Sequence, residues 1–366
     1  MAEPLINTHI ERLDEERISK CGWLKLFSSQ AEPRFYHHPD WILAADENLL
    51  QCPVELACVH QGDQLKLMLP LQARAQRHRF HAPRHDHLTL GDVLIHPRMS
   101  AIESNSAIQS ALSLAGTAQW DWQICNVPER SALLGMLAEQ NLDNTTVSQT
   151  HAHWEQRPAR QSAWFDLQEG LPPASGKLRR NLKRLRHKLQ EAGQLRMQWV
   201  RQPDELPEAY SRFLHLEASG WKGAQGESTA IAADPALTNF YRRLLAPRFE
   251  GLQPVIILLW LDEECIAAQF GLQTGQCLSL LKIAYSEQHS QYSPGSLLLQ
   301  DTAEQASKLG LSTLSLVSSP SWAERWHPHT ESVWHLTRYA NNPGGLALRT
   351  LDRLKQTARA RVRRAA

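Results

Sequence analysis

Three apolar runs stand almost back to back in the second half of this chain: Val255 to Leu261, Cys265 to Leu272 and Cys277 to Ala284. Only the short turns Asp262-Glu263-Glu264 and Thr274-Gly275-Gln276 separate them. A parallel pair needs a crossover of a dozen residues or more, so runs this close can pair only as an antiparallel meander. Helical patterns flank it. Pro207 to Glu217 and Pro235 to Leu245 precede the meander, and Ser293-Pro294-Gly295 opens a helix over Ser296 to Lys308 that Gly310 ends. Two further strands follow, Leu314 to Val317 and Val333 to Tyr339. Strands and helices mixed in this way define an α+β layer, with mainly antiparallel sheets flanked by helices.

The first half repeats the theme. A helix is expected around Glu11 to Phe27, and the turn-rich segment Phe35 to Trp41 leads into another. Val54 to His60 and Leu65 to Leu71 flank Gln61-Gly62-Asp63-Gln64 and read as a hairpin. Strands then follow at Leu88 to Ile95, Trp120 to Cys125 and near Ala163 to Leu167, with helices at Ser100 to Ala115 and Arg130 to Gln140. Leu171-Pro172-Pro173-Ala174-Ser175-Gly176 interrupts this order, since paired prolines cannot sit inside a helix. With 366 residues, more than one core is expected. The break suggests domains at 1–172 and 173–345, with a basic C-terminal helix or tail at 346–366.

Charge is unevenly spread although the formal net charge is only +1. Lys177 to Lys188 holds seven Lys/Arg and no acid, and residues 346–366 hold seven more against the lone Asp352. In the first of these stretches Leu178, Leu182, Leu185 and Leu189 recur at helical spacing. It is therefore a helix with one apolar face and strongly cationic flanks. Both basic segments suit an anionic partner.

Six cysteines without a CxxC pair read as free thiols. No stretch approaches the ~20 apolar residues of a membrane span, and the N-terminus lacks a secretory pattern, so the expected location is the cytoplasm. His78, His81, His85, Asp86 and His87 supply imidazole enough to suggest a metal, but Arg74, Arg77, Arg79 and Arg84 among them would repel a cation. A loop lining a domain interface is the reading of that stretch, with no metal expected.

Four motifs stand in a telling order: Leu178-Arg179-Arg180-Asn181-Leu182-Lys183-Arg184, Glu217-Ala218-Ser219-Gly220-Trp221-Lys222-Gly223, Ile266-Ala267-Ala268-Gln269-Phe270-Gly271 and Tyr292-Ser293-Pro294-Gly295-Ser296-Leu297-Leu298. Together they resemble the acetyltransferase domain of the GNAT superfamily, in its branch related to the cellulose-biosynthesis CelD and BioF2-like proteins. The likeness runs over roughly Lys177 to Tyr339. Pro39-Asp40-Trp41 and Leu69-Pro70-Leu71 are similar to that branch's preceding degenerate domain.

The resemblance implies a tandem GNAT-like architecture, shared with Fem-type aminoacyl transferases. It implies acyl transfer from acetyl-CoA or another acyl-CoA to a small-molecule or glycan-precursor acceptor, possible in polysaccharide or envelope biosynthesis, by direct attack in a ternary complex. Two alternatives stay open: a Fem-like transferase using aminoacyl-tRNA, and a catalytically inactive module that binds an anionic partner.

In the site so implied, Ser293, Gly295, Ser296 and Leu297 cradle the donor's pyrophosphate at a helix N-terminus. The family's phosphate loop usually reads Q/R-x-x-G-x-G/A, whereas Gln291 to Ser296 carries Pro294 and Ser296 where glycines belong. A backbone N–H near Ile283 or Ala284 polarises the donor carbonyl. Glu217 is the candidate base and Tyr285 the candidate acid. Trp221 and Lys222 face the acceptor, with Arg180 and Arg184 offered to an anionic one.

Overall fold

The computed structural model describes residues 6–74, 79–114, 121–142, 153–172, 175–220, 229–340 and 342–365. The chain divides into two compact units that interleave along the sequence. Unit 1 takes residues 1–30, 51–159 and 332–366, and unit 2 takes 31–50 and 160–331.

In unit 1, β1 (Ile6–Arg12), β2 (Glu55–Gln61) and β3 (Gln64–Arg74) form an antiparallel meander, and β5 (Leu94–Ile95) pairs with β3. Beyond β3, β4 (Arg79–His81) runs antiparallel to it and parallel to β6 (Asp121–Pro128). β13 (His329–Tyr339) pairs antiparallel with β6 through Val333 to Arg338. Helices α4 (Ala101–Leu114) and α5 (Ala132–Leu142) bury Ile108, Leu112, Leu133 and Leu137 against Leu67, Leu69, Trp122 and Ile124.

The single helix expected over Glu11 to Phe27 is three elements. β1 runs to Arg12, Asp14 caps α1 (Glu15–Cys21) by accepting the Arg17 N–H, and Gly22 breaks the chain at φ +85° before α2 (Trp23–Ser28). Only glycine adopts that backbone without strain. The strand expected over Leu88 to Ile95 shortens to two residues, while the one near Ala163 to Leu167 starts as early as His153.

Unit 2 holds β8 (Leu195–Val200), β9 (Gln253–Leu261), β10 (Glu264–Thr274) and β11 (Cys277–Tyr285) as successive antiparallel neighbours. The sheet continues with β12 (Thr313–Ser315), parallel to β11, and then the end of β7 (His153–Asp166), antiparallel to β12. β9 reads as an unbroken apolar run because both its faces are covered. Val255, Ile257, Leu259 and Leu261 join a core with α6 (Gly176–Ala192) and α9 (Pro294–Lys308). On the other side, Phe213 of α7 (Leu206–Ser219) and Phe240 and Tyr241 of α8 (Pro235–Arg243) are buried, with Phe213 and Tyr241 ringing Phe270.

The early segment 31–50 belongs to this unit. Its helix α3 (Pro39–Asn48) sets Trp41 edge-on to Phe240 at 5.1 Å. Asp40, fully buried, accepts hydrogen bonds from Arg243 and from the backbone N–H groups of Arg248 and Phe249, each at 3.0 Å. All six cysteines are free. Among the described residues, no helix is long and apolar enough to cross a membrane.

Candidate active site

The site starts from a fault in the ladder between β10 and β11. Phe270 faces Lys282 while the adjoining Gly271 faces Leu280, so Leu281 is an extra residue that bends β11. On its other side β11 pairs with β12 only from Cys277 to Ser279. β12 then turns away: the Val317 N–H donates to Ser315 Oγ, Val317 takes φ +61°, and the Leu316 N–H donates to Ala163 O on β7. Two parallel strands thus start together and part, leaving the C-terminal half of β11 along an opening.

Register decides which peptides face that opening. The Ser286 N–H donates to Ile266 O, and Ala268 lies opposite Ala284. Hydrogen-bonded pairs recur every second residue in an antiparallel ladder. The Ala284 N–H is therefore directed at β10, and the Ile283 N–H points the other way, toward the opening.

A cavity of about 210 Å³ occupies this place, lined by Ile283, Tyr285, Ser290, Ser293, Pro294, Gly295, Ser296, Trp322 and Arg325. Helix α9 aims its N-terminus into it and is held firmly. Leu297, Leu298, Ala303 and Ala306 are buried, Thr302 donates to Gln269 Oε1 at 2.7 Å, and Asp301 pairs with Arg186 of α6. Burial pushes the Asp301 carboxyl above its ordinary pKa, against the pull of Arg186.

At the N-terminus of α9, Ser293 takes φ +52° and its side chain caps no N–H; Pro294 has none to offer. The Ser296 and Leu297 N–H groups both donate to Ser293 O. Among the described residues the Gly295 N–H has no partner, so it is the one backbone donor of this turn open to the cavity. Arg325, from the 3-10 turn Ser321–Trp326, reaches across to donate to Ser296 Oγ at 2.7 Å. The result is a pocket with a guanidinium, serine hydroxyls and a helix dipole at one end and the rings of Tyr285 and Trp322 on its walls, a chemistry suited to a phosphate-bearing ligand with an apolar arm.

The cavity gathers Ile283, Tyr285, Ser293, Gly295 and Ser296 from the sequence candidates. Ala284 and Leu297 are buried and are not among the residues that line it. Glu217 is buried near the end of α7, and its Oε2 accepts the Ile231 N–H at 2.9 Å. Burial pushes the neighbouring Tyr241 hydroxyl far up, and the Glu217 charge adds to that shift. α7 meets the end of β11, since a Cβ on Gly220 would stand 3.6 Å from Tyr285 O and 3.8 Å from a Glu287 carboxylate oxygen. Trp221, Lys222 and His78 lie outside the described residues. Arg180 and Arg184 are exposed on α6, where Arg184 donates to Asn181 Oδ1. Among the described residues no group of three His, Cys, Asp or Glu stands close enough to hold a metal ion.

Sequence reasoning missed Ser290, Trp322 and Arg325. Ser321 to Trp326 carries no periodicity that assigns it to α9, and only the fold brings it there.

A bulged strand parting from its parallel neighbour over a helix N-terminus defines a class of acyl-transfer folds, and comparison with known proteins gives the family. Residues 176–340 match the Acetyltransferase (GNAT) domain family. Over these residues the chain is similar to a GNAT acetyltransferase domain, and its fold is shared with FemX. Among solved structures, FemX is similar at 10% identity with a TM-score of 0.57, covering 89% of this chain and 96% of that one. L-PGS from Bacillus licheniformis is similar at 12% identity with a TM-score of 0.56, covering 94% and 98%. Identities this low make the likeness one of fold. No curated protein matches the chain in sequence.

Proposed function

We propose that unit 2 transfers an acyl group from acetyl-CoA or another acyl-CoA to an amine or hydroxyl of a sugar or amino-bearing precursor of a polysaccharide or envelope component. The observation that carries this reading is the convergence of the Gly295 N–H, the Ser293 and Ser296 hydroxyls and Arg325 at the mouth of the opening beside β11. Glycine-rich loops hold a pyrophosphate with several backbone N–H groups. Here Pro294 and the bonded Ser296 N–H remove two of them, and Arg325 supplies charge in their place.

The donor's thioester lies along β11, its carbonyl oxygen toward the Ile283 N–H. The acceptor enters where α7 ends beside Tyr285. Its nitrogen or oxygen attacks the carbonyl carbon, Glu217 takes the acceptor proton, and the expelled thiolate takes a proton from the Tyr285 hydroxyl.

Calorimetric titration with acetyl-CoA and CoA at two salt concentrations tests the donor. Saturable micromolar binding is expected, with Arg325→Ala weakening it about tenfold or more through loss of a charged hydrogen bond. A Cβ at Gly295 would meet the Tyr285 ring at 3.6 to 3.9 Å, which is ordinary contact. Gly295→Ala should therefore keep affinity, while Gly295→Glu places a carboxylate in the phosphate pocket and abolishes binding.

A second reading has its own support. Lys177, Arg180, Lys183, Arg184 and Lys188 stand exposed on α6 and, among the described residues, pair with no carboxylate. Such a row favours an aminoacyl-tRNA donor. Silence toward CoA with salt-sensitive tRNA binding would select it.

A further inference from the structure

The last helix, α10 (Pro343–Ala365), lies in unit 1 and shows opposite characters on its two sides. One side is clamped by charge. Arg349 and Arg353 donate to Glu155 on β7, and Asp352 accepts the Tyr339 hydroxyl of β13. The other side is bare: Leu346, Leu351 and Leu354 are 62%, 46% and 63% exposed. Among the described residues only Ile102 and Leu114 are large apolar side chains as open as these, which makes this helix the main concentration of exposed apolar surface.

Helical geometry of 3.6 residues per turn puts Leu346, Leu354 and Leu351 within an arc of about 140°, with Ala347 and Thr350 inside it, Arg353 about 20° beyond one edge and Lys355 about 40° beyond the other. Arg349, Asp352 and Arg353 fall on the remaining arc. Residues 346–366 carry seven Lys/Arg against Asp352, and the helical backbone continues through the arginine-rich end of this stretch. An apolar stripe flanked by cations, on a helix not apolar enough to cross a bilayer, is the makeup of a segment that lies in a membrane interface.

We propose that α10 docks this protein on anionic phospholipid bilayers, with Leu346, Leu351 and Leu354 among the acyl chains and its Lys/Arg at the headgroups. Charge chooses this occupant over two others. A second copy would bring two cationic helices together, and a nucleic acid would leave the leucine stripe in water. Arg349 and Asp352 lie across the helix from the stripe and Arg353 borders it, so docking leaves the clamp in place and requires no unfolding of unit 1. This inference stands apart from the transferase reading, because α10 belongs to unit 1.

Sedimentation of the full-length protein with vesicles tests it. Vesicles of phosphatidylcholine with about a third phosphatidylglycerol should carry the protein down, and pure phosphatidylcholine should not. The double variant Leu351→Glu/Leu354→Glu changes only exposed side chains, so its far-UV circular dichroism should match wild type while its vesicle partition falls about tenfold or more. Lys355→Glu should weaken partition mainly at low salt. Equal partition of wild type and double variant overturns the proposal, as does binding to neutral vesicles alone. A leucine-dependent dimer in sedimentation equilibrium without vesicle binding assigns the stripe to a second copy, and tRNA binding without vesicle binding assigns the cations to nucleic acid; either result also overturns it.

Discussion

Asp40 shows how much one side chain can carry. It is fully buried, and its two oxygens take Arg243 and two backbone N–H groups of the segment that follows α8. Asp40→Ala leaves the largely buried Arg243 guanidinium with only Glu47 and the Ala246 carbonyl and strands two backbone N–H groups. The expected loss of stability is about 3 kcal/mol in urea unfolding; a loss below about 1 kcal/mol would mean that water replaces the carboxylate.

Next to it, His38 is also fully buried, with Nε2 donating to Glu250 O and Nδ1 accepting the Asp40 N–H. Burial lowers its pKa despite the raising effects of the Glu250 carbonyl and Asp40. The unfolded chain therefore takes up this proton before the folded one does. The stability it confers is complete above about pH 6.5 and is lost as pH falls toward its lower folded value. The melting temperature should drop between pH 7 and pH 5, and His38→Asn, which keeps a capping oxygen for α3, should flatten part of that drop. Of the site residues, Glu217→Gln keeps an acceptor for the Ile231 N–H and removes a base. Turnover should fall about a hundredfold or more with acceptor KM little changed, and a normal rate would move the role to another group such as Glu287.

At the scale of elements, the clamp of α10 has a pH sign of its own. Burial raises the Glu155 carboxyl, but hydrogen bonds from Arg349, Arg353 and Arg157 prevail and hold it below the usual carboxylate range. That stabilisation is present at neutral pH and is lost as acid carries the solution through the lowered value. Glu155→Gln at neutral pH should speed hydrogen exchange of the α10 amides and leave unit 2 unchanged; unaltered exchange would show that packing alone holds the helix. The helices and strands with clean periodicity were legible from the sequence: the meander β9 to β11, the hairpin β2 and β3, and α6 with its leucine row. β8 escaped notice because Leu195-Arg196-Met197-Gln198-Trp199-Val200 is a half-exposed strand without regular alternation. β1 was hidden by Glu11 and Arg12, which read as the start of a helix and instead pair antiparallel with Leu56 and Glu55 of β2.

For the whole molecule, the interleaving of the units has a direct consequence. A fragment of residues 160–331 lacks α3, so Phe240 loses its Trp41 neighbour and Arg243 its Asp40 partner. It should aggregate or melt well below the full chain, and a peptide of residues 31–50 added in trans should raise its melting temperature. Independent folding of the bare fragment would show that α3 is dispensable. The sequence by itself determined the α+β class, the meander, both basic helices and the helix start at Ser293 to Gly295, because turn length, periodicity and charge are properties of neighbouring residues. Only the tertiary structure decided that Leu281 bulges, that β12 parts from β11, that Arg325 faces the N-terminus of α9 and that α3 belongs to unit 2. Those outcomes depend on contacts between segments tens to hundreds of residues apart, and no local pattern encodes which of many compatible surfaces will meet.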